Sequence, residues 1–164
     1  MLKNHHIALY VSAALNIHQV PQLIQGLIAA GAEVRVAMTP GAQEFITPLT
    51  LQTLSQHPVY TNRFGQNNVQ HVSHIDLGDW AELAVVAPAT ADIIGKMANG
   101  IADDIATTAL VATAAPKIVV PAMHPVMLAN VAVQRNLKQL AADGITLLKP
   151  DVGFQADSYQ RFFD

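Results

Sequence analysis

The chain contains no cysteine, which excludes a disulfide framework, a thiolate metal site and any cysteine nucleophile. Charge is scarce as well. Asp, Glu, Lys and Arg make up 13% of the 164 residues, the formal net charge is −3, and the nine Lys and Arg gather into no basic block. Such a surface offers no electrostatic footprint for nucleic acid, so none is expected as a partner. Long apolar runs are missing too. No stretch approaches the roughly 18 residues needed to cross a bilayer, and the N-terminus lacks the charged-then-apolar layout of a secretory signal. The expectation is a cytoplasmic protein with no membrane partner and no metal site.

What is present is aliphatic. Apolar residues make up 51% of the chain, a composition that suits a buried parallel sheet covered by helices. The length fits a single domain over 1–164. Ile7 to Val11 reads as a first strand, Ile17 to Ala30 as a helix stopped by Gly31, and Glu33 to Met38 as a second strand. Thr39-Pro40 and Thr47-Pro48 each read as an N-cap followed by proline at the first helical position, so a short helix is expected after both. Ser55 to Asn68 has no clear period and is expected to be a covering loop. Leu83 to Ala87 reads as a third strand ended by Pro88, followed by a helix from Asp92 to Asn99 that Gly100 terminates. A helix over 103–113, a strand over Lys117 to Val120, a long helix from Pro125 to Ala142 and a fifth strand over Ile145 to Leu148 complete the series. Strands alternating with helices predict an α/β fold: a Rossmann-like (flavodoxin-like) open parallel sheet with helices on both faces. The segment 150–164 is expected to be a flexible tail or flap.

In such a sheet, ligands bind beyond the carboxyl ends of the strands. The residues there are Ser12-Ala13-Ala14, Met38-Thr39-Pro40, Pro88-Ala89-Thr90-Ala91-Asp92 and Pro121-Ala122-Met123-His124. Each group is small or hydroxylated and leads into a helix N-terminus, where free N–H groups and the positive dipole end favour a phosphate. For Ser12 and Thr39 the alternative is that they are ordinary helix caps.

These segments resemble a known family, the homo-oligomeric flavin-containing cysteine decarboxylases, which include phosphopantothenoylcysteine decarboxylases and the peptidyl-cysteine decarboxylases of lantibiotic processing. The resemblance runs from Ile7 to Asp151. It is carried by Ala32 to Pro40, Phe45 to Leu51, His74-Ile75-Asp76-Leu77 before Trp80-Ala81, and Ala87 to Asp92 continuing through Ala98 to Asp104. It implies a Rossmann-like domain assembled as a homotrimer or a multiple of trimers, with FMN between subunits. By the same resemblance, Ser12 and Thr39 hold the FMN phosphate and Phe45 lies against the cofactor. Pro88, Ala89, Thr90, Ala91 and Asp92 form the turn along the flavin, and Met123 belongs to the neighbouring Pro-x-Met segment. His74 matches the active-site histidine, a residue whose ordinary pKa near 6.5 suits proton transfer in either direction; the alternative is a surface or loop histidine.

The chain departs from the family at four places. The family motif Pro-x-Met-Asn-x-x-Met-Trp becomes Pro121-Ala122-Met123-His124-Pro125-Val126-Met127-Leu128, so His124 replaces the asparagine that holds the departing carboxylate. Asp92 replaces an asparagine in the flavin turn, where its alternative reading is simple helix capping. Ser12-Ala13-Ala14-Leu15-Asn16 replaces a glycine-rich turn and is closer to the lantibiotic branch. The flap of the coenzyme A enzymes carries a cysteine, whereas Phe154 to Ser158 has none. Two functions stay open: oxidative decarboxylation of a small-molecule or peptide thiol, with His74 and His124 as catalytic residues, or FMN binding without decarboxylation. A prenyl-flavin synthase of similar fold is a more distant third.

Overall fold

The computed structural model describes residues 2–62 and 73–149. Five parallel strands form one sheet in the order β2-β1-β3-β4-β5. They are β1 (His6–Val11), β2 (Glu33–Met38), β3 (Leu83–Ala89), β4 (Lys117–Pro121) and β5 (Thr146–Leu147). The order reverses beside β1: the chain steps out to β2, then returns past β1 to β3. That reversal opens a crevice at the carboxyl ends of β1 and β3, where α/β sheets bind ligands.

Alternation along β1 divides the core. Ile7, Leu9 and Val11 face one side, with Ile17, Val20, Ile24 and Leu51; this side is covered by α1 (Val20–Ala29) and α2 (Pro48–Ser55). Ala8 and Tyr10 face the other, with Leu77, Ile93, Ile94, Ala106, Ala109 and Leu140. Those residues come from α3 (Ser73–Trp80), α4 (Ala91–Asn99), α5 (Ile105–Ala112) and α7 (Val131–Ala142), with α6 (Pro125–Ala129) leading into the last. Helices on both faces, each packed on its own side of one sheet, agree with the single-domain Rossmann-like reading.

Several local expectations are corrected. Pro88 does not end β3, which continues through it to Ala89 with a register shift after Val86. This is possible because the strand ladder has loosened there, so the missing N–H of proline is not required. The segment after Thr39-Pro40 is a 3-10 turn over Gly41–Glu44, although Thr39 still accepts from the Ala42 N–H at 3.3 Å. The expected helix from Asp92 starts at Ala91, and its cap is Thr90, which accepts from the Ile93 N–H. The expected Pro125–Ala142 helix is broken at Asn130, whose ψ of 133° is extended. The Asn130 side chain then caps α7 through the Ala132 N–H at 2.9 Å, a use of asparagine that competes with helix continuation. The expected loop over 55–68 begins inside α2 at Ser55 and brings Tyr60 into a parallel bridge with Ala37; its remainder, like the tail or flap over 150–164, lies outside the described residues.

Candidate functional site

At the carboxyl end of β1, Ser12 is 2% exposed. Its hydroxyl donates to the Pro88 carbonyl and accepts from the Thr90 N–H at 3.0 Å, and its own N–H reaches the same carbonyl at 3.3 Å. One small side chain therefore ties the end of β1 to the turn after β3. Thr90 in turn caps α4, so the turn is held at both ends and the first amides of α4 point outward without intrahelical acceptors. Small residues are required here. A side chain at Gly41 would meet the Ala13 Cβ at 3.1 Å, and bulk at either position would fill the approach to the turn.

These elements line a cleft of about 450 Å³ formed by Ser12, Ala13, Thr39, Pro40, Gly41, Thr90, Ala91, Asp92, Lys96, Asp103, Asp104 and Met127. That is within the ordinary size of a small-molecule site. Its two ends differ. The Ser12–Thr39–Gly41 end has no charged side chain, and the Thr39 hydroxyl, which accepts from Ala42, keeps its own proton available. At the other end Lys96 lies between Asp92 (3.0 Å) and Asp103 (3.2 Å). Burial works to lower the Lys96 pKa, but the hydrogen bonds and charges of the two carboxylates outweigh it and hold the ammonium above its ordinary value. Asp104 is engaged in a reciprocal capping box with Thr107 at the start of α5, a further brace for this wall.

Of the residues expected from the sequence, Ser12, Thr39, Thr90, Ala91 and Asp92 line this cleft. Pro88 and Ala89 stand behind it in β3, Pro88 as the acceptor of the Ser12 clamp. Phe45, Met123, His74 and His124 do not line it. Phe45 is exposed after the 3-10 turn, and Met123 is packed against the core on the α3–α5 side. His74 lies in the first turn of α3, half-buried, with a buried Nδ1 that has no partner among the described residues. His124 is exposed and caps α6, its Nδ1 accepting from the Val126 N–H at 3.3 Å. This assigns the proton of the neutral ring to Nε2, the nitrogen left free as a donor. Sequence reading missed Lys96, Asp103, Asp104, Gly41 and Met127 as lining residues. The i,i+4 spacing of Asp92 and Lys96 was the available signal for the first; the others converge only through the fold. Among the described residues no three His, Cys, Asp or Glu side chains gather to hold a metal ion, and no helix is long and apolar enough to cross a membrane.

A family model described as "Flavoprotein" matches residues 1–159. The coenzyme A biosynthesis bifunctional protein CoaBC of Bacillus subtilis is 46% identical over 159 residues, which cover 97% of this chain and 39% of that protein. The chain thus spans about two fifths of the length of that relative. Two solved structures are similar to the whole fold. The FMN-dependent cysteine decarboxylase SpaF superposes with a TM-score of 0.87 at 31% identity, over 92% of this chain and 87% of that one. A PPC decarboxylase mutant complexed with pantothenoylaminoethenethiol superposes with a TM-score of 0.79 at 29% identity, over 89% and 82%.

Proposed function

The chain belongs to the Flavoprotein family, and on that premise we propose that it is a cytoplasmic enzyme that binds FMN and oxidatively decarboxylates a cysteine-type thiol, either phosphopantothenoylcysteine or a peptidyl-cysteine. The observation that carries this reading is the cleft itself: a Ser12–Pro88–Thr90 clamp opening onto the uncharged, hydroxyl-bearing end of a pocket at the switch point of the sheet. The residues fit a flavin mononucleotide. Thr39 supplies a free hydroxyl proton for the phosphate, and the first-turn amides of α4 supply N–H donors. Ser12 supports the phosphate end chiefly by fixing the turn, because its proton is committed to Pro88. The Asp92–Lys96–Asp103 group stands where carboxylates suit ribityl hydroxyls rather than a phosphate.

A flavin held by Thr39 and the first-turn amides of α4 would supply a hydride acceptor for the carbon bearing sulfur, and the β-thiocarbonyl acid so formed would lose carbon dioxide readily. The chain's own contribution is to hold and to move protons. The free Nε2–H of His124 donates to the departing carboxylate in the role the family gives to an asparagine. His74 carries the thiol proton.

Since Phe45, Met123, His74 and His124 do not line the cleft of their own chain, we assign the complete site to a seam between copies, in a homotrimer or a multiple of trimers. The apolar groups left exposed, Val126 at 73% and Val131 at 78% among them, supply cover for that seam. On α5 the apolar residues other than Val111 and Ala112 are already buried within the chain, so α6 and the start of α7 carry the larger share.

The test is direct. Purified protein is expected to show the absorption of oxidised flavin, to release FMN rather than FAD on heating, to scatter light as a trimer or its multiple, and to liberate carbon dioxide from one of the two substrate types. A colourless protein that takes up no added FMN overturns the reading. A second reading, FMN binding without decarboxylation, is favoured by the engagement of His124 as a cap in the place of the carboxylate-binding amide. Flavin retained without release of carbon dioxide, together with activity created by His124→Asn, would establish it.

A further inference from the structure

The outer face of α7 carries a groove of about 630 Å³, larger than the cleft, with Ala129, Val131, Gln134, Arg135, Lys138 and Gln139 along its wall. The same short stretch of chain borders both. Met127 of α6 lines the cleft, and Ala129, two residues on, lines the groove. The wall between them is fixed, because the Gln134 side-chain amide donates to the Leu128 carbonyl at 2.6 Å and so ties the start of α7 to α6.

The charge of the groove has one sign. Arg135 and Lys138 are exposed on it, three residues apart, and no described Asp or Glu lines it. Neither has a carboxylate partner among the described residues. Elsewhere the cations are engaged: Arg35 with Glu33, Lys96 between Asp92 and Asp103, and Lys117 on the Thr113 and Ala115 carbonyls. Asp143, the acidic residue nearest in sequence, is held by the Gln139 amide at 2.8 Å.

Two ordinary reasons for basic residues on a helix are missing. Cations in the last turn answer the helix dipole, but the last turn of α7 holds none. A carboxylate three or four residues away makes an ion pair, but those positions hold Val131, Ala132, Gln134, Gln139, Ala141 and Ala142. The two like charges repel each other with nothing to offset them, an arrangement that gains when an anion sits between them. In a chain of net charge −3, such a groove selects an anionic group on a partly apolar stem.

The span suits one of the two substrate types. The path from Met127 to Arg135 is at most about 16 Å, helical within α6 and α7 and extended between them. Phosphopantothenoylcysteine ends in a phosphate monoester about eleven bonds from its cysteine Cα, which equals about four residues of extended chain, or about 13 Å. A peptidyl-cysteine brings an anion there only where an acidic side chain stands a few residues upstream.

We propose that the α7 groove is the specificity subsite of the reaction: Arg135 and Lys138 hold the phosphate monoester at the far end of the thiol substrate while its cysteine end reacts at the cleft. The role in specificity rests on the decarboxylation proposed above; the anion site does not. Binding is read first, without turnover, by calorimetry with phosphopantothenate and pantothenate as probes. The phosphorylated probe is expected to bind about tenfold more tightly at low salt. Arg135→Gln combined with Lys138→Gln should abolish that difference while thermal midpoint and flavin content stay unchanged. In turnover, the double variant should raise KM for phosphopantothenoylcysteine about tenfold with kcat within about twofold, and leave pantothenoylcysteine within about twofold in both constants. Equal affinity of the native protein for the two probes overturns the proposal, and so does a double variant that still prefers the phosphate. Release of carbon dioxide from cysteinyl peptides but not from phosphopantothenoylcysteine overturns it too. Equal turnover of the phosphorylated and unphosphorylated thiols overturns the subsite and leaves the reaction standing. Phosphate-selective binding in a protein that decarboxylates neither substrate type supports the subsite and overturns the assigned reaction instead.

Discussion

At the amino ends of β1, β2 and β3, large polar side chains are paired with one another. His6 and Arg35 both stack on Trp80, Glu33 faces His6, Arg35 and His57, and Glu82 accepts from the His6 N–H at 2.7 Å and faces His5. At the carboxyl ends of the same sheet the side chains are small, and Ser12, Thr39 and Thr90 bond to backbone instead. The first arrangement turns most of its charged and aromatic side chains toward one another. The second fixes backbone while leaving helix-terminal amides and a hydroxyl open, and a binding site needs that asymmetry. The two ends therefore predict different consequences of mutation: stability alone at one, stability together with flavin binding at the other.

The sharpest break of that comparison is Trp80→Ala. It removes the ring shared by His6 and Arg35 and should cost about 2–3 kcal/mol, read as a lower urea midpoint, while flavin per folded molecule stays unchanged. Loss of flavin in the folded fraction would show that the two ends are not separable. Ser12→Ala comes next. It leaves the Thr90 N–H and part of the demand of the Pro88 carbonyl unmet, at about 1–3 kcal/mol, and flavin retention after gel filtration should fall with it. Gly100→Asp tests the brace beyond the turn. Gly100 has φ +68°, and a Cβ there would meet no heavy atom within 4 Å, so the cost is backbone strain alone, about 1 kcal/mol. Flavin retention is expected to drop because the helix end that follows the turn shifts; unchanged retention would separate the turn from the end of α4.

The smallest effect belongs to Glu82, whose carboxyl is held below its ordinary 4.5 chiefly by the His6 N–H, with burial opposing and His5 and His6 assisting. A depressed carboxylate stabilises the fold above its unfolded value and loses that contribution as pH falls through its lower folded value. Urea midpoints of the native protein should therefore decline below about pH 4.5, and Glu82→Gln should flatten that decline. Flavin absorption should follow the folded fraction in both proteins, as expected for the end away from the Ser12 cleft.

Element order, the parallel sheet and the stops at Gly31 and Gly100 were legible in the sequence, because they follow from signals a few residues long: apolar period, N-cap hydroxyls and glycine at helix ends. The same local signals misread three places. Pro88 was taken as a strand end because proline removes a ladder donor, but a register shift beside β4 had already removed the need for that donor. Asn130 was passed over inside an apolar period, although its side chain caps the next helix. Capping, the alternative reading of Asp92, falls instead to Thr90 two positions earlier.

The sequence by itself determined an α/β chain with small and hydroxylated residues at the strand ends, since composition and periodicity are properties of neighbouring residues, and the resemblance of its ordered motifs to the flavin-containing decarboxylases pointed to a flavoprotein. Only the tertiary structure decided that the Ser12 hydroxyl reaches Pro88 and Thr90 across more than seventy residues of chain. It alone brought Lys96, Asp103 and Met127 to the same cleft. Those relations depend on strand order, register and helix direction, which are chosen by the burial of whole faces against one another rather than by the preference of any short segment.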